Sequence, residues 1–466
     1  MTEPVSTPTK IADGLPSDVL DWLETSLSGK VTHAERFVSR REGWLVDVTR
    51  TDGDRLEGFL RLERFAGGKL KQPACQVRLE TGVIKALHDQ DLPVPAVMAH
   101  SELLQATLFE RVPGRDDIHE LDDRAQQGAI ARDFMRHLAR LHTMPVEGLD
   151  LPELARPDSA EQYALTGIDD LERGYAASTD VPDPLARLTF EWLRRNIPAP
   201  PTQPALLQGD TGPGNFVYVG DRVSAILDWE CAHLGDPLED IGHLFSRAFF
   251  HPWGDMRALL DIYSEVTDQP IDRAKLHFYR VASFAKAALG STVAVNHFQV
   301  AGPLPMMIFF SVAGERGLAQ SLADALGVAV DEARLPDPAV GLSRALTLPV
   351  ETFSDHVVDR ELSPQLTTPY LKARADQLRQ IARYQARRER HLSAVVAQEV
   401  EELQALIPAP VRTLEAGLVA LNAQIDEWDE ERVRKIARYL TRRAQRAEAL
   451  ALPLAGRYAN LRLSPV

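Results

Sequence analysis

The stretch from Gln208 to Asp240 constrains the fold of this chain more than any other segment. One short apolar run, ALL, stands directly before it, and two more, NFVYV and VSAIL, lie within it; loops rich in glycine, aspartate and proline separate the three runs, whereas the flanking sequence has the spacing of amphipathic helices. Asp210 follows the first run, Asn215 comes five residues later, and Asp228 follows the last run. The pattern predicts short strands whose ends present polar side chains within a mainly helical region.

These polar residues are of the types that phosphoryl transfer requires. The reaction needs a carboxylate that orients or deprotonates the attacking hydroxyl, and oxygen ligands that hold Mg²⁺ on the nucleotide phosphates. We therefore predict that Asp210 is the catalytic base and that Asn215 and Asp228 hold the metal. Turn chemistry alone would explain a single Asp-Gly loop. The combination of the three residues favours a kinase-type site.

The N-terminal part of the chain has the pattern of a small antiparallel sheet. Two runs of period-2 alternation, GWLVDVT and GFLRLER, lie on either side of an Asp52-Gly53 turn and predict a β-hairpin. Residues 77–88 have helical spacing, and the segments LPVPAVMAH and ATLFERV predict two further strands. The first 110 or so residues are thus expected to form a sheet with one crossing helix.

The rest of the chain is predicted to be mainly helical. Residues 351–446 are nearly free of glycine and rich in alanine, leucine, arginine and glutamate, and their apolar residues recur at helical spacing. This tail is expected to form a helical hairpin or bundle. A chain of 466 residues is long enough for more than one domain. We predict three domains, at residues 1–111, 112–330 and 331–466, of which the last is helical.

Composition excludes several classes of function. The formal net charge of −15 argues against a general nucleic-acid binder. No apolar run reaches the roughly 18 residues that a membrane span needs, and the N-terminus lacks the apolar region of a secretory signal. Neither of the two cysteines, Cys75 and Cys231, lies in a CxxC pattern. We expect a cytoplasmic protein with neither a membrane nor a nucleic-acid partner.

The central segment resembles the catalytic and metal-binding loops of the aminoglycoside phosphotransferase and choline kinase-like superfamily. That superfamily has H-G-D-x-x-x-x-N, then two apolar residues with D-W/F-E, then G-D-P-x-x-D. This chain has Q-G-D-T-G-P-G-N, I-L-D-W-E and G-D-P-L-E-D. The positions that match in order are Asp210, Asn215, Asp228, Trp229, Glu230, Gly235, Asp236, Pro237 and Asp240.

The resemblance implies a fold class, cofactors and further site residues. The fold would be α+β, with the two lobes of a protein kinase followed by an additional all-α C-terminal domain. Residues 1–111 would be the nucleotide-binding N-lobe and residues 112–330 the catalytic and acceptor-binding C-lobe. The cofactors would be ATP and Mg²⁺. Asp236 and Asp240 would brace the loops. In the N-lobe the resemblance implies a phosphate-pairing cation, its partner carboxylate and adenine-binding backbone groups, at Arg61, Glu80, Glu110 and Val112.

The chain departs from the family at Gln208, which stands where the family usually has histidine. Glutamine can donate and accept hydrogen bonds but carries no charge, so we expect it to support the loop structurally. The phosphate-covering turn around residues 39–46 contains only Gly43. These departures, with the appended helices, motivate a second hypothesis, a pseudokinase or binding module whose helical tail docks a partner.

We expect the phosphate acceptor to be the hydroxyl of a small molecule, and two chemical classes of acceptor stay open. The acidic segment containing Asp116, Asp117 and Glu120 suits a cationic acceptor such as an aminoglycoside or an amino alcohol. The apolar segment containing Arg280 and Lys286 resembles the branch whose kinase domains are associated with acyl-CoA dehydrogenases. That resemblance implies a hydroxyacyl-CoA or a related acid. The tail is expected to mediate a homodimer or to close over the acceptor.

Overall fold

The computed structural model describes residues 10–11, 15–37, 42–63, 77–151, 154–298, 303–338, 343–459 and 461–466. The chain divides into two compact units, each assembled from several segments. The first unit contains residues 1–157, 201–240 and 251–271, and the second contains residues 158–200, 241–250 and 272–466.

The N-terminal part of the first unit is a six-stranded sheet with two helices. The strands have the spatial order β1-β2-β3-β4-β6-β5, and all neighbouring pairs are antiparallel except β1 with β2. Helix α1 precedes β2, and helix α2 connects β4 to β5 in sequence. The bounds are β1 Lys10–Ile11, α1 Ser17–Ser26, β2 Gly29–Phe37, β3 Glu42–Arg50, β4 Arg55–Leu62, α2 Val77–His88, β5 Val97–Ser101 and β6 Ala106–Glu110.

The alternation predicted for the hairpin is confirmed by its burial. Trp44, Val46 and Val48 of β3 are all buried, in register with β4 across the turn that contains Gly53. Together with Val19 of α1 they form one apolar core. Because successive side chains of a strand point to opposite faces, the buried set lies on one face of the sheet.

The remainder of the first unit is a set of loops and short strands supported by two helices. β7 pairs with β10, and β8 pairs with β9 as a hairpin. Asp123 accepts hydrogen bonds from the first backbone N–H groups of α3, and Asp255 does so for α8, which sets where each helix begins. The bounds are α3 Arg124–Thr143, β7 Ala205–Leu207, β8 Phe216–Val219, β9 Arg222–Ile226, β10 His233–Gly235 and α8 Met256–Thr267. One-turn helices occupy Ile118–Glu120, Val146–Gly148 and Trp229–Cys231.

The second unit is helical in its described residues. Its helices are α4 Ala160–Ala164, α5 Ile168–Ser178, α6 Pro184–Arg195, α9 Arg273–Asn296, α10 Leu304–Ala325, α11 Ser343–His356, α12 Pro369–Leu406, α13 Leu414–Asp426 and α14 Glu430–Ala451, and α7 Pro237–Phe250 crosses into it after Asp240. Short helical turns follow at Val357–Leu362, Leu452–Leu454 and Gly456–Tyr458.

The tail helices pack on helices that precede them in the second unit. α14 packs against α10, where the buried hydroxyl of Thr441 donates to the carbonyl oxygen of Ala319 at 3.1 Å. Arg316 of α10 forms an ion pair with Glu448 of α14. The tail is therefore helical, as predicted. It belongs to the same compact unit as residues 272–330, so the three-domain division stays a prediction.

The fold class predicted from the sequence is confirmed: a small, mainly antiparallel sheet lobe, a mainly helical lobe and a helical C-terminal region. Among the helices that the structure describes, none combines the length and apolar character that crossing a bilayer would require.

Candidate functional site

Asp210 lies in the loop that leaves the buried strand β7. Gly209, the residue before it, has φ +80°, and a Cβ atom at this position would stand 2.1 Å from the carbonyl oxygen of Cys231. Only glycine fits so close an approach with that backbone conformation. The loop motif of this chain thus requires a tight turn at Gly209, which carries Asp210 out of the core.

Asn215 closes the Asp210 loop. Its Nδ2 donates to the backbone carbonyl of Asp210 at 2.6 Å and to Oδ2 of the same residue at 2.8 Å. The backbone N–H of Leu227 donates to the carbonyl of Asn215 at 2.8 Å, which joins this loop to the one that carries Asp228. The structure therefore brings together the three residues that the sequence predicted as base and metal ligands.

Asp228 is presented in a left-handed backbone conformation, with φ +55°, just before the turn Trp229–Cys231. Its Oδ1 accepts a hydrogen bond from Nη2 of Arg61, a residue of β4. The same Nη2 lies 3.6 Å from Oε1 of the buried Glu80 on α2. Arg61, whose Nε has no hydrogen-bond partner in the described part of the chain, thus links sheet, helix and loop in one cluster.

Asp240 is a buried carboxylate on which the loop after β7 is anchored. Its Oδ2 accepts from the backbone N–H of Gln208 at 2.9 Å, and its Oδ1 accepts from that of Gly209 at 3.0 Å. Oδ2 also lies 3.2 Å from Nε2 of His142 on α3, whose Nδ1 is 2.8 Å from the hydroxyl of Tyr263. Burial, with the negative charge of Asp240, raises the pKa of Tyr263, so this hydroxyl stays protonated.

Asp236 fixes the start of α7. Its Oδ1 accepts from the backbone N–H of Leu238 at 3.0 Å, one of the donors that a helix leaves unpaired in its first turn. Pro237 follows at the first helical position, where its missing N–H costs no hydrogen bond. The local sequence G-D-P therefore explains both the end of β10 and the beginning of the helix that carries Asp240.

Gln208 is 1% exposed and connects the two loops. Its Nε2 donates to the carbonyl oxygen of Leu227, immediately before Asp228, at 2.6 Å. Its Oε1 is buried and has no hydrogen-bond partner among the described residues. One of the two polar atoms of the side chain is therefore satisfied within the site.

The predicted adenine-binding residues lie at the end of β6. The backbone N–H of Glu110 donates to the carbonyl of Ala96 at 2.8 Å, and the Glu110 carboxylate accepts from the N–H of Ala96 at 3.2 Å. Val112 is half-buried two residues after the strand, and its backbone N–H makes no hydrogen bond with the described part of the chain. Neither residue forms an ion pair or hydrogen bond with the Asp210 cluster as described.

One residue of each segment predicted for acceptor recognition pairs with another residue of the protein. Arg115 donates to both carboxylate oxygens of Asp117, at 2.9 and 2.7 Å, and this pairing lowers the pKa of Asp117. Arg280 is fully buried in the second unit, where it pairs with Asp324 at 2.7 Å and donates to the carbonyl of Ser464. Arg280 is thus a packing residue.

Sequence reasoning missed the part played by His142 and Tyr263. Both residues belong to the hydrogen-bond network of Asp240 but lie on helices that are remote from it in sequence. No sequence pattern around either residue predicts these contacts. The predicted turn around residues 39–46 is described only from Glu42 onward, and residues 38–41 lie outside the described residues. Within the described ranges no group of three or more His, Cys, Asp or Glu side chains could hold a metal ion by itself.

The fold and the arrangement of loops place the chain in the class of kinase-like phosphotransferases. A solved structure of a candidate aminoglycoside phosphotransferase from Ralstonia eutropha superposes with a TM-score of 0.50 at 20% sequence identity, covering 65% of this chain and 94% of that one. The model of the phosphotransferase enzyme family, APH, matches residues 38–279. That match covers more than half of the chain, which therefore belongs to this family.

The names of two curated relatives agree with the resemblance to the branch associated with acyl-CoA dehydrogenases. Acyl-CoA dehydrogenase family member 11 from Homo sapiens is 28% identical over 208 residues, which cover 41% of this chain and 25% of the relative. The Arabidopsis thaliana protein named Probable acyl-CoA dehydrogenase IBR3 is 32% identical over 243 residues, covering 47% of this chain and 29% of that protein. The chain thus spans about a quarter of the length of these relatives.

Proposed function

We propose that this protein is an ATP- and Mg²⁺-dependent kinase that transfers the γ-phosphate to a hydroxyl of a small metabolite. The observation that carries the proposal is the convergence of Asp210, Asn215 and Asp228 with the Arg61–Glu80 pair in one compact unit. A carboxylate, two oxygen-bearing side chains and a cation are the parts that phosphoryl transfer uses. Cytoplasmic localisation remains a prediction.

Asp210 would act as the base. In the transfer step the acceptor oxygen attacks the γ-phosphorus, the bond to the β–γ bridging oxygen breaks, ADP leaves, and the hydroxyl proton passes to the Asp210 carboxylate. The Nδ2 bond from Asn215 to Oδ2 would keep that carboxylate in one orientation. Pre-organisation of this kind reduces the reorganisation that must accompany the reaction.

The donor set fits a metal shared with the nucleotide. Asn215 makes both of its hydrogen bonds to Asp210 through Nδ2. Its amide oxygen, the atom that would bind a hard cation, takes no part in these two bonds. Asp228 adds a carboxylate whose side chain is 36% exposed. Mg²⁺ commonly binds through one or two protein oxygens together with substrate phosphates, so a cage of several carboxylates is not needed. When bound, the ion would neutralise charge on the phosphates.

The remaining predicted residues would bind the nucleotide or support the loops. Arg61 would contact phosphate, with Glu80 holding its guanidinium. The backbone N–H of Val112 has no partner in the described chain, and the backbone near Glu110 and Val112 would receive the adenine ring. Arg61 also pairs with Asp228, so binding of the metal and nucleotide would have to replace that ion pair.

For the acceptor we favour a hydroxyacyl-CoA or a related hydroxylated acid over an aminoglycoside or amino alcohol. The names of the curated relatives associate this sequence with acyl-CoA dehydrogenases. Asp117, part of the acidic segment that would attract a cationic acceptor, is neutralised by Arg115 and also accepts from the hydroxyl of Tyr218 at 3.1 Å. That pairing weakens the electrostatic case for a cationic acceptor.

A panel of acceptors, measured by ADP release with Mg-ATP, tests the proposal. Hydroxyacyl-CoAs, amino alcohols and aminoglycosides are compared, and turnover with the first group is expected. Asp210→Asn should lower kcat about 10²- to 10⁴-fold with little change in the KM for ATP, as expected for loss of a general base. Asp221→Asn, an exposed aspartate in the neighbouring hairpin turn, is the control and should retain activity.

Two results would contradict the proposal. One is acceptor-dependent ADP release that is the same in Asp210→Asn as in the parent. The other is tight binding of Mg-ATP with no ADP release for any acceptor, which would favour the pseudokinase hypothesis. Preference for an aminoglycoside would preserve the kinase assignment and overturn only the acceptor class.

A further inference from the structure

A cavity of about 380 Å³ lies within the second unit, apart from every residue assigned to phosphoryl transfer. Its walls come from the tail helices α12, α13 and α14, from α10, and from the segment that joins α5 to α6. The volume is in the range of small-molecule sites, which are typically about 300–1,000 Å³. The tail therefore forms part of the cavity wall, together with α10 and the segment between α5 and α6.

The apolar part of the cavity surface is slightly larger than the polar part. Leucine, valine and alanine side chains from three tail helices face it, including Leu392, Val395, Val396, Leu414, Leu418 and Leu440. A surface of this kind favours a ligand with a sizeable apolar body, because each buried CH₂ group gains free energy on leaving water.

Two of the carboxylates that line the cavity are satisfied within the protein. Asp183 accepts the backbone N–H groups of Leu185 and Ala186 at the start of α6, and also the hydroxyl of Tyr175 at 2.6 Å. Glu399 accepts from Nε of Arg443 at 3.0 Å, so the charges of this second pair offset each other. Neither carboxylate requires a ligand of opposite charge.

Arg388 is the exception among the charged groups that line the cavity. It is half-buried, its guanidinium carbon lies 5.6 Å from the ring centroid of Tyr384, and it makes no ion pair or hydrogen bond within the described ranges. An arginine cannot relieve its isolation by losing its proton. The remaining lining carboxyl, Glu315, can become neutral, because burial and the nearby Asp183 raise its pKa to about 7. When Glu315 is neutral, the charges of Asp183 and Glu399 balance those of Arg388 and Arg443, and Arg388 is the lining cation that makes no ion pair within the described ranges.

We propose that this cavity binds an amphipathic carboxylate, a straight-chain fatty acid anion of medium length, with its carboxylate on Arg388 and its chain along the apolar wall. A guanidinium offers two parallel donors to a carboxylate, which is the geometry that Arg recognises best. None of the residues assigned to phosphoryl transfer lines this cavity.

Isothermal titration calorimetry of the full chain with hexanoate, octanoate, decanoate and dodecanoate at pH 7 tests the proposal. The affinity should rise with chain length by up to about fourfold per added CH₂. Arg388→Met should weaken dodecanoate binding about 10- to 100-fold, as for loss of a charged hydrogen bond. Arg388→Lys should retain part of the affinity.

The matched control is Arg383→Met, which removes the same charge from the same helix. Arg383 pairs with Asp355 and does not line the cavity, so this variant should bind dodecanoate like the parent. Ala447→Phe places a ring at a lining position and should abolish binding. A thermal melt of each variant checks that it is folded.

Several outcomes would overturn the proposal. They are no detectable heat for any acid up to millimolar concentration, an affinity that does not depend on chain length, and equal affinities for the parent and a folded Arg388→Met variant. Binding of dodecylammonium in preference to dodecanoate would also overturn it, because that result assigns the cavity to a cation.

Discussion

Replacing Asp240 with alanine tests the hydrogen-bond network beneath the Asp210 loop most directly. The Asp240 carboxylate is fully buried and accepts the backbone N–H groups of Gln208 and Gly209, at 2.9 and 3.0 Å. It also contacts His142 at 3.2 Å. The substitution removes the acceptor and leaves the two donors inside the protein.

The expected effect follows from those two bonds. A hydrogen bond to a charged acceptor contributes about 1.5–3 kcal/mol, so loss of both should lower the free energy of unfolding of the first unit by about 3–6 kcal/mol. Typical domains unfold with about 5–15 kcal/mol, so the variant should be markedly less stable yet still able to fold. The exposed control Asp221→Ala should change stability by no more than about 0.5 kcal/mol.

Urea denaturation monitored by tryptophan fluorescence gives the stability, and hydrogen exchange locates the change. Amide protection at Gln208 and Gly209 should fall by at least about 100-fold in Asp240→Ala, whereas amides of the β3–β4 hairpin should change less. A stability loss below about 1 kcal/mol, or unchanged protection at those two amides, would refute the assignment of Asp240 as the anchor of this loop.

Three further perturbations have defined outcomes. Gly209→Ala should cost more than about 2 kcal/mol of stability in urea denaturation, because of its positive φ and the 2.1 Å approach to Cys231, whereas Gly220→Ala, with a positive φ but open space, should cost about 1–2 kcal/mol. Glu315 has a raised pKa, from an ordinary 4.5 to about 7, so the folded state binds its proton more tightly than the unfolded chain does. The associated stability is present below about pH 4.5 and is lost as the pH rises towards 7. Glu315→Gln should remove up to about 3 kcal/mol of that dependence, measured by denaturation at several pH values. Arg61→Met should raise the KM for Mg-ATP about 10- to 100-fold in the ADP-release assay, and an unchanged KM would contradict a role at the phosphates.

Local sequence patterns were sufficient to predict most of the secondary structure of the N-lobe. The period-2 alternation of Trp44, Val46 and Val48 matches a buried face, and helix α2 covers residues 77–88 as predicted. These elements are specified by side chains close together in sequence, because alternation and helical spacing each encode one buried face. The same reasoning correctly gave the short strands β7, β8 and β9 around the Asp210 loop.

Contacts between residues far apart in sequence could not be predicted in the same way. The pairing of Arg61 with Asp228 joins positions separated by 167 residues, and His142 reaches Asp240 across 98. Its position in an apolar segment made Arg280 a candidate for acceptor binding. In the structure it is fully buried, pairs with Asp324 and donates to the carbonyl of Ser464. Periodicity predicts which face of a helix is buried, but it does not predict which charged residue from another part of the chain will contact that face.

The substitution of histidine by Gln208 shows how a departure from a motif can preserve its geometry. The position has to supply one donor to the carbonyl of Leu227, next to Asp228, and Nε2 does so at 2.6 Å. A neutral imidazole also offers one N–H donor, so either side chain can join the two loops. The difference lies in the second polar atom, because Oε1 of Gln208 is buried without a partner in the described chain. An unsatisfied buried acceptor costs about 1–3 kcal/mol, so the substitution acts on the stability of the loop while the bond that aligns Asp228 is retained.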